Sequence, residues 1–188
     1  MYKAFSLMLM VIATSGCQSV FRPADFDSDI VGLRCVFIAA KKPFERDNLR
    51  YIERYADYGN ATCKATLGKL YQEGGYGVSQ DFDEARRLFV ESAKLDPSYS
   101  GLLGQMAERG EGEPIDYAKA RDLYRRSGKN AALQLGRLME EGKGGPQDQS
   151  GALALYLDSV NYCGDDTWKA MDRLRRSGVV LDEAQKQR

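Results

Sequence analysis

The stretch that decides the fold runs from Leu67 to Ala93 and reads LGKLYQEGGYGVSQDFDEARRLFVESA. Its first half places Leu67, Leu70 and Tyr71 at the spacing of one helix face. Gly68 lies in the same half, and because glycine has no Cβ it lets a neighbouring helix approach closely. The glycines that follow predict the end of this helix, since they supply the positive φ of a C-cap.

The second half of the stretch predicts another helix. Asp81 is placed to cap it by accepting backbone N–H bonds at its N-terminus. Ala85, Leu88 and Phe89 follow at i, i+3 and i+4 and form the face that meets the first helix. The stretch therefore predicts a helical hairpin.

Two other interpretations of the glycine-rich turn fail on residue type. A phosphate-binding loop needs a preceding strand and a Lys-Ser/Thr pair after the glycines, and neither is present. A calcium loop needs alternating acids over twelve residues, whereas GGYGVSQD supplies one. The turn is predicted to connect two helices and nothing more.

The hairpin pattern occurs three times. The matching segments are Ala65–Lys94, Gly101–Lys129 and Leu133–Asn161. The recurring positions are a Leu-Gly pair, a turn glycine, an aspartate, an alanine, a Leu-aromatic pair and a serine: Leu67-Gly68, Leu103-Gly104, Leu135-Gly136; Gly77, Gly112, Gly144; Asp81, Asp116, Asp148; Ala85, Ala120, Ala152; Leu88-Phe89, Leu123-Tyr124, Leu155-Tyr156; Ser92, Ser127, Ser159. Units of this kind bury their apolar faces only by stacking on one another.

These repeated residues resemble the SEL-one-like repeat (SLR) family, which is related to tetratricopeptide repeats. The resemblance covers Ala61 to about Asn161. It departs from the family pattern in one extra loop residue in the first copy, in Gln149 after the third aspartate, and in Gly128 where the first copy has Ala93. It implies an all-α fold, a short right-handed α-solenoid of helix-turn-helix units with helical caps.

The domain organisation follows from these repeats. We expect an N-terminal helical cap over residues 31–60, three repeats over residues 61–98, 99–129 and 130–161, and a C-terminal capping helix over residues 162–188. In the C-terminal cap, Trp168, Met171 and Leu174 have the spacing of an apolar stripe.

The first residues predict export. Lys3 is followed by an apolar run of about nine residues, too short for the roughly 20 of a membrane-spanning helix. Residues 1–16 are therefore interpreted as a signal peptide. The sequence TSGC ending at Cys17 resembles a bacterial lipobox, which implies acylation of Cys17 and a spacer over residues 17–30. The alternative is an ordinary signal peptide cleaved elsewhere.

The residue after the cysteine bears on location. Gln18 stands where an inner-membrane retention signal usually has Asp. The resemblance therefore implies an outer-membrane lipoprotein facing the periplasm.

The charge balance gives no indication of a nucleic-acid partner. Without residues 1–16 the 27 cations lose only Lys3, which leaves 26 against 27 anions. A basic excess, the usual mark of nucleic-acid or anionic-lipid binding, is absent.

Three cysteines remain besides Cys17: Cys35, Cys63 and Cys163. Cys35 lies on the first predicted helix of the cap, and Cys63 lies on the first helix of the next unit. Neighbouring helices of a solenoid in an oxidising compartment favour a Cys35–Cys63 disulfide. The alternative is three buried thiols. A zinc site is not expected, because the chain has no histidine and no CxxC spacing.

Catalytic motifs are not found. The absence of histidine removes the commonest general base and triad partner, and no GxSxG elbow occurs. The adjacent acids in FDEARR, MEEGK and CGDDTW are explained by helix surfaces and caps. The chain is predicted to be a non-enzyme without metal or cofactor.

Protein binding is the function that remains. The resemblance implies either an immunity protein that neutralises a phospholipase effector delivered by type VI secretion, or an adaptor lipoprotein in an envelope assembly such as exopolysaccharide export or a flagellar motor. The groove-forming first helices and the repeat turns are both possible interfaces. The candidate partner-binding residues lie in or beside the turns: Tyr76, Arg109, Glu111, Tyr117 and Lys143. Tyr51, Tyr55 and Tyr58 are further surface candidates.

Overall fold

The computed structural model describes residues 28–40, 46–75 and 77–181, without the side chains of Ser28 and residues 160–165. Its helices are α1 (Ser28–Ala40), α2 (Arg46–Asp57), α3 (Ala61–Glu73), α4 (Phe82–Leu95), α5 (Ser100–Arg109), α6 (Tyr117–Ser127), α7 (Ala132–Glu141) and α8 (Gln149–Arg176). Apart from a single bridge between Gly75 and Val78, these ranges contain no β-structure. The predicted all-α solenoid is confirmed.

No helix in the described ranges combines the length and the apolar character needed to cross a membrane.

Each repeat is a hairpin whose two helices meet through a glycine and an aromatic ring. The pairs are α3 with α4, α5 with α6, and α7 with α8. A Cβ at Gly68 would lie 2.6 Å from Phe89 Cε1, and one at Gly104 would lie 2.7 Å from Tyr124 Cε1. Gly136 faces Tyr156 in the same way. The recurring glycine is therefore required because the ring of the second helix occupies the space of a side chain.

The second helix of every repeat begins at the predicted aspartate. The side chain of Asp81 accepts hydrogen bonds from the backbone N–H groups of Asp83 and Glu84. Asp116 accepts from the N–H of Lys119, and Asp148 accepts from the N–H of Gly151. These caps satisfy amides that otherwise lack a partner within the helix.

In the first two repeats the recurring serine ties the second helix to the segment where the first helix begins. Buried Ser92 Oγ donates a hydrogen bond to the carbonyl of Ala61 at 2.7 Å, and Ser127 Oγ donates to the carbonyl of Ser98. Ser159 Oγ instead donates to the carbonyl of Leu155, in its own helix, at 2.6 Å. Short 3-10 helices at Pro97–Tyr99 and Gly128–Ala131 link the repeats.

The N-terminal end is a pair of helices packed on α3. Ile52 and Ala56 of α2 are fully buried there, and Tyr71 of α3 is only partly buried. α1 begins at Ser28, so the predicted spacer over residues 17–30 extends into a helix at its end. The signal peptide, Cys17, Tyr76 and the last residues, 182–188, lie outside the described residues.

The C-terminal end is formed by α8, a helix of 28 residues that contains the expected boundary between residues 161 and 162. Leu153 and Tyr156 on one side of that boundary and Met171 and Leu174 on the other belong to one buried cluster. One part of the prediction is wrong. Trp168, predicted as part of the apolar stripe, is 53% exposed; the buried stripe consists of Thr167, Ala170, Met171 and Leu174.

Candidate protein-binding groove

The first helices of the repeats line one side of the array. The depression there, which we call the groove, has two sections of about 340 and 710 Å³. Gln105 of α5 and Gln134 of α7 border both sections. The groove therefore runs along consecutive repeats, from α1 to the second half of α8.

The first section combines polar and apolar side chains and is almost uncharged. Its lining includes Thr62, Thr66, Tyr99, Leu102, Asn130 and Val36, with Lys69 as the only charged side chain among the lining residues. The hydroxyls of Thr62 and Tyr99 lie 2.7 Å apart, in hydrogen-bond contact. Such a surface offers amide and hydroxyl groups to a partner's backbone and apolar area to its side chains.

The second section carries paired charges with the cations outermost. Its charged lining residues are Glu108, Arg109, Arg137, Asp166, Lys169 and Arg173. The side chain of Glu108 is 15% exposed, whereas that of its partner Arg137 is 46% exposed. Glu140 beneath Arg173 repeats this arrangement. Glu108 and Glu140 are thus covered, and their guanidinium partners face the groove, whereas Asp166 and Lys169 form a pair in which both side chains are exposed.

A tyrosine hydroxyl forms the base of each ion pair. Tyr124 donates to Glu108 at 2.7 Å, and Tyr156 donates to Glu140 at 3.3 Å. Burial, reinforced by the neighbouring glutamate, raises the pKa of both phenols well above the usual value. Both tyrosines therefore stay neutral donors over the whole physiological range.

The two ion pairs join residues that are far apart in the sequence. Glu108 of α5 binds Arg137 of α7, and Glu140 of α7 binds Arg173 of α8, with Nη2–Oε2 at 2.7 Å. The first repeat has Phe89 and Gln72 at the corresponding positions, so it lacks both the hydroxyl and the acid. Gln72 Nε2 instead donates to Glu111 Oε2 at 2.5 Å. The contact between the first and second repeats thus differs in chemistry from the contact between the second and third repeats, although the backbone pattern is the same.

Four of the candidate residues in the turns fall into two contacts at the edge of the array. Arg109 Nη1 lies 3.6 Å from Glu111 Oε1, and Lys143 Nζ lies 5.4 Å from the Tyr117 ring centroid. Lys143 also pairs with Glu141 at 2.7 Å. Of these four residues, Arg109 borders the second section of the groove.

Glu111 is mainly a structural residue. Its carboxylate accepts the Gln72 hydrogen bond, and its carbonyl accepts one from Arg86 Nη2 at 2.9 Å. Its side chain is 18% exposed. Its removal would therefore disturb the contact between repeats as well as any interface.

Sequence reasoning missed the residues that line the groove itself. Lys69, Gln105 and Arg137 each follow the glycine that meets the aromatic ring. Because the glycine faces the second helix, the residue after it lies on a different face of the first helix, and this position marks the groove in every repeat. The position carries a different type of side chain in each repeat, so the comparison of the repeats did not single it out.

The two cysteines predicted to pair lie together in the N-terminal core. Cys35 of α1 and Cys63 of α3 are fully buried and joined as a disulfide, with Cα atoms 5.3 Å apart. The side chain of Cys163 lies outside the described residues. In the ranges that are described, no cluster of three or more Cys, Asp or Glu side chains is placed to hold a metal ion.

Comparison with known proteins agrees with this architecture. The Sel1 repeat family model matches residues 65–97, 102–130 and 129–157. Three segments of the chain thus match the Sel1 repeat, a fold suited to protein–protein interaction, as the resemblance in the sequence implied. No curated protein matches the chain at a significant level.

Two solved structures show the same fold. A Sel1 repeat protein from Oxalobacter formigenes aligns at 22% identity with a TM-score of 0.68, over 84% of this chain and 67% of its own. A protective antigen of uropathogenic Escherichia coli strains, which displays an SLR fold, aligns at 25% identity with a TM-score of 0.65. That alignment covers 73% of this chain but only 31% of the antigen.

Proposed function

We propose that this protein is a lipoprotein of the outer membrane, anchored through Cys17 and facing the periplasm, that binds another protein in the groove. We further propose that the partner is a phospholipase effector delivered by type VI secretion and that binding neutralises it. An immunity protein tethered at the membrane that the toxin attacks meets the enzyme where it acts.

The continuity of the groove is the observation that carries the protein-binding role. One surface of hydroxyl, amide, aliphatic and guanidinium groups extends over three repeats. The ion pairs that join α5 to α7 and α7 to α8 hold the repeats in fixed relation. A surface ordered before binding loses less entropy when the partner arrives.

The Cys35–Cys63 disulfide supports the proposed compartment. Disulfides persist in oxidising environments such as the periplasm and are rare in the cytosol. The bond links the N-terminal cap to the first repeat, and both cysteines are buried. This fits a chain that is exported before it folds.

The test is co-purification from the periplasm of the native host, with the mature chain carrying a tag as bait. A single stoichiometric lipase whose toxicity the bait suppresses supports the proposal. Several envelope-assembly proteins without a toxic one would indicate the adaptor role instead and would overturn the immunity role.

A pair of matched variants identifies the face that binds. Gln105→Trp with Gln134→Trp fills the junction of the two groove sections, whereas Tyr117→Ala with Lys143→Ala removes the contact at the turn edge. We expect the first pair to abolish capture and the second to leave it intact. The reverse result would place the interface on the turns. Unchanged circular dichroism of both variants is the folding control.

A further inference from the structure

Helix α1 is apolar on two opposite faces. Val31, Cys35 and Ile38 are buried against the array. On the other side Ile30, Leu33 and Phe37 are 60%, 70% and 71% exposed, and the neighbouring Val36 is 50% exposed. A helix that is hydrophobic all round is normally covered on all sides. We call Ile30, Leu33, Val36 and Phe37 the outer face of α1.

This concentration is specific to α1. The other large apolar side chains that are exposed within the described ranges do not form such a group: Val90 and Leu95 lie five positions apart on α4, and the rest stand singly, namely Tyr58, Ile115, Trp168 and Val180. Scattered single residues are normal on a protein surface, but a contiguous group on one helix marks an interaction site.

The border of the outer face is amphipathic. The Arg34 guanidinium lies 4.7 Å from the Tyr51 ring centroid, and the Tyr51 and Tyr55 rings are 4.5 Å apart. The row of tyrosine rings continues to Tyr58, which contacts the Tyr55 ring and lies 5.7 Å from the Arg54 guanidinium. Tyrosine and arginine combine an apolar body with a polar tip, a composition suited to the boundary between water and lipid.

The position of α1 in the chain indicates what covers the face. α1 begins at Ser28, eleven residues after Cys17 (28 − 17). A fully extended segment of that length spans at most about 40 Å. An acylated Cys17 would thus hold the outer face close to the bilayer at all times. A second copy of the chain is a weaker candidate, because the four side chains of the outer face are far fewer than the roughly 20–30 residues that each partner contributes to a stable interface.

We infer that the outer face of α1 docks on the lipid bilayer to which Cys17 anchors the chain. Ile30, Leu33 and Phe37 enter the interfacial layer, and Arg34 stays at its polar edge. Val36 borders the first section of the groove as well as the outer face. Docking therefore holds that end of the groove at the membrane surface, where an enzyme acting on phospholipid is bound. This inference rests on the lipid anchor of the proposed function.

The test measures the depth of α1 in vesicles. Trp168 is the only tryptophan of the chain, so a Trp168→Phe background allows a single indole to be placed by Phe37→Trp. Leu95→Trp is the matched control, since Leu95 is 55% exposed on α4. The acylated mature proteins are reconstituted into vesicles of phosphatidylethanolamine and phosphatidylglycerol with brominated acyl chains, and quenching of tryptophan fluorescence is recorded.

We expect at least twofold stronger quenching of the Phe37→Trp indole than of the Leu95→Trp indole. Equal quenching of the two in an acylated, vesicle-bound protein would overturn the docking of α1 and leave the anchor in place. A mature chain without acyl mass on Cys17 would overturn both. Self-association that Leu33→Ser abolishes would assign the face to a second copy and contradict the inference.

Discussion

The hydroxyl of Tyr124 donates a hydrogen bond to Glu108 Oε2 at 2.7 Å, and the same carboxylate binds Arg137 of the next repeat. One glutamate thus connects the second helix of its own unit to the first helix of the following one. The first repeat, with Phe89 and Gln72, shows that the hydroxyl and the acid are replaced together. The tyrosine hydroxyl and the glutamate therefore act as a unit in the groove wall.

Replacement of Glu108 by alanine should destabilise the protein. The change leaves the buried Tyr124 hydroxyl and the Arg137 guanidinium without their acceptor, which costs about 1–3 kcal/mol of unfolding free energy. The double variant Tyr124→Phe/Glu108→Gln restores the combination of the first repeat and should lose less than the sum of the single changes. Urea unfolding of the natural protein, Tyr124→Phe, Glu108→Gln and the double variant gives the coupling free energy.

A matched control for that experiment is Glu141→Gln. Glu141 forms an exposed pair with Lys143, and such pairs contribute only about 0–1 kcal/mol. If Glu141→Gln cost as much as Glu108→Ala, the burial of the acid would not explain the effect.

Alanine at Gly136 should be destabilising although alanine is the better helix former. A Cβ there meets the Tyr156 ring, and overpacking costs about 1–3 kcal/mol against a propensity gain of about 1 kcal/mol. Tyr156→Leu in the same chain removes the ring and should recover part of the loss. Thermal melts of the single and double variants measure this, and an additive loss would contradict the role of the ring.

Reduction of the Cys35–Cys63 disulfide should lower stability by about 3 kcal/mol, because the bond closes a loop with a sequence separation of 28. The midpoint of urea unfolding with and without reductant checks this, with Cys35→Ala as the genetic equivalent. When the protein is unfolded without reductant, alkylation should modify Cys163 but neither Cys35 nor Cys63. After reductant is added, all three cysteines should be modified. Alkylation of all three without reductant would contradict the bond.

High pH should unfold the protein in part through Tyr124 and Tyr156. Their pKa values are raised in the folded state above the ordinary value of 10.0. The unfolded chain therefore releases their protons from about pH 10 upward while the folded chain retains them, and stability falls as the pH rises. Tyrosinate absorbance should show these two rings ionising only with unfolding.

Tyr156→Phe should make stability less dependent on pH above about pH 10. Tyr58→Phe, which removes a hydroxyl from an exposed ring, is the comparison variant. Complete ionisation of all tyrosines before any loss of helical circular dichroism would contradict this assignment.

The sequence by itself determined the repeat architecture because the rules involved are local. Helix periodicity, an aspartate at the N-cap of each second helix and a glycine at each turn are read within one unit of about 30 residues, and each is confirmed. The boundary expected after residue 161 falls within α8, and buried residues on both sides of it share one cluster.

Tertiary structure alone decided which side chains share a surface. Glu108 and Arg137 are 29 residues apart, and Glu140 and Arg173 are 33 apart. Their contacts arise from the way in which segments distant in the sequence pack on each other, and no periodicity within a helix encodes that packing. The groove and the exposed outer face of α1 follow from the same packing, since burial of a helix face depends on which neighbour reaches it.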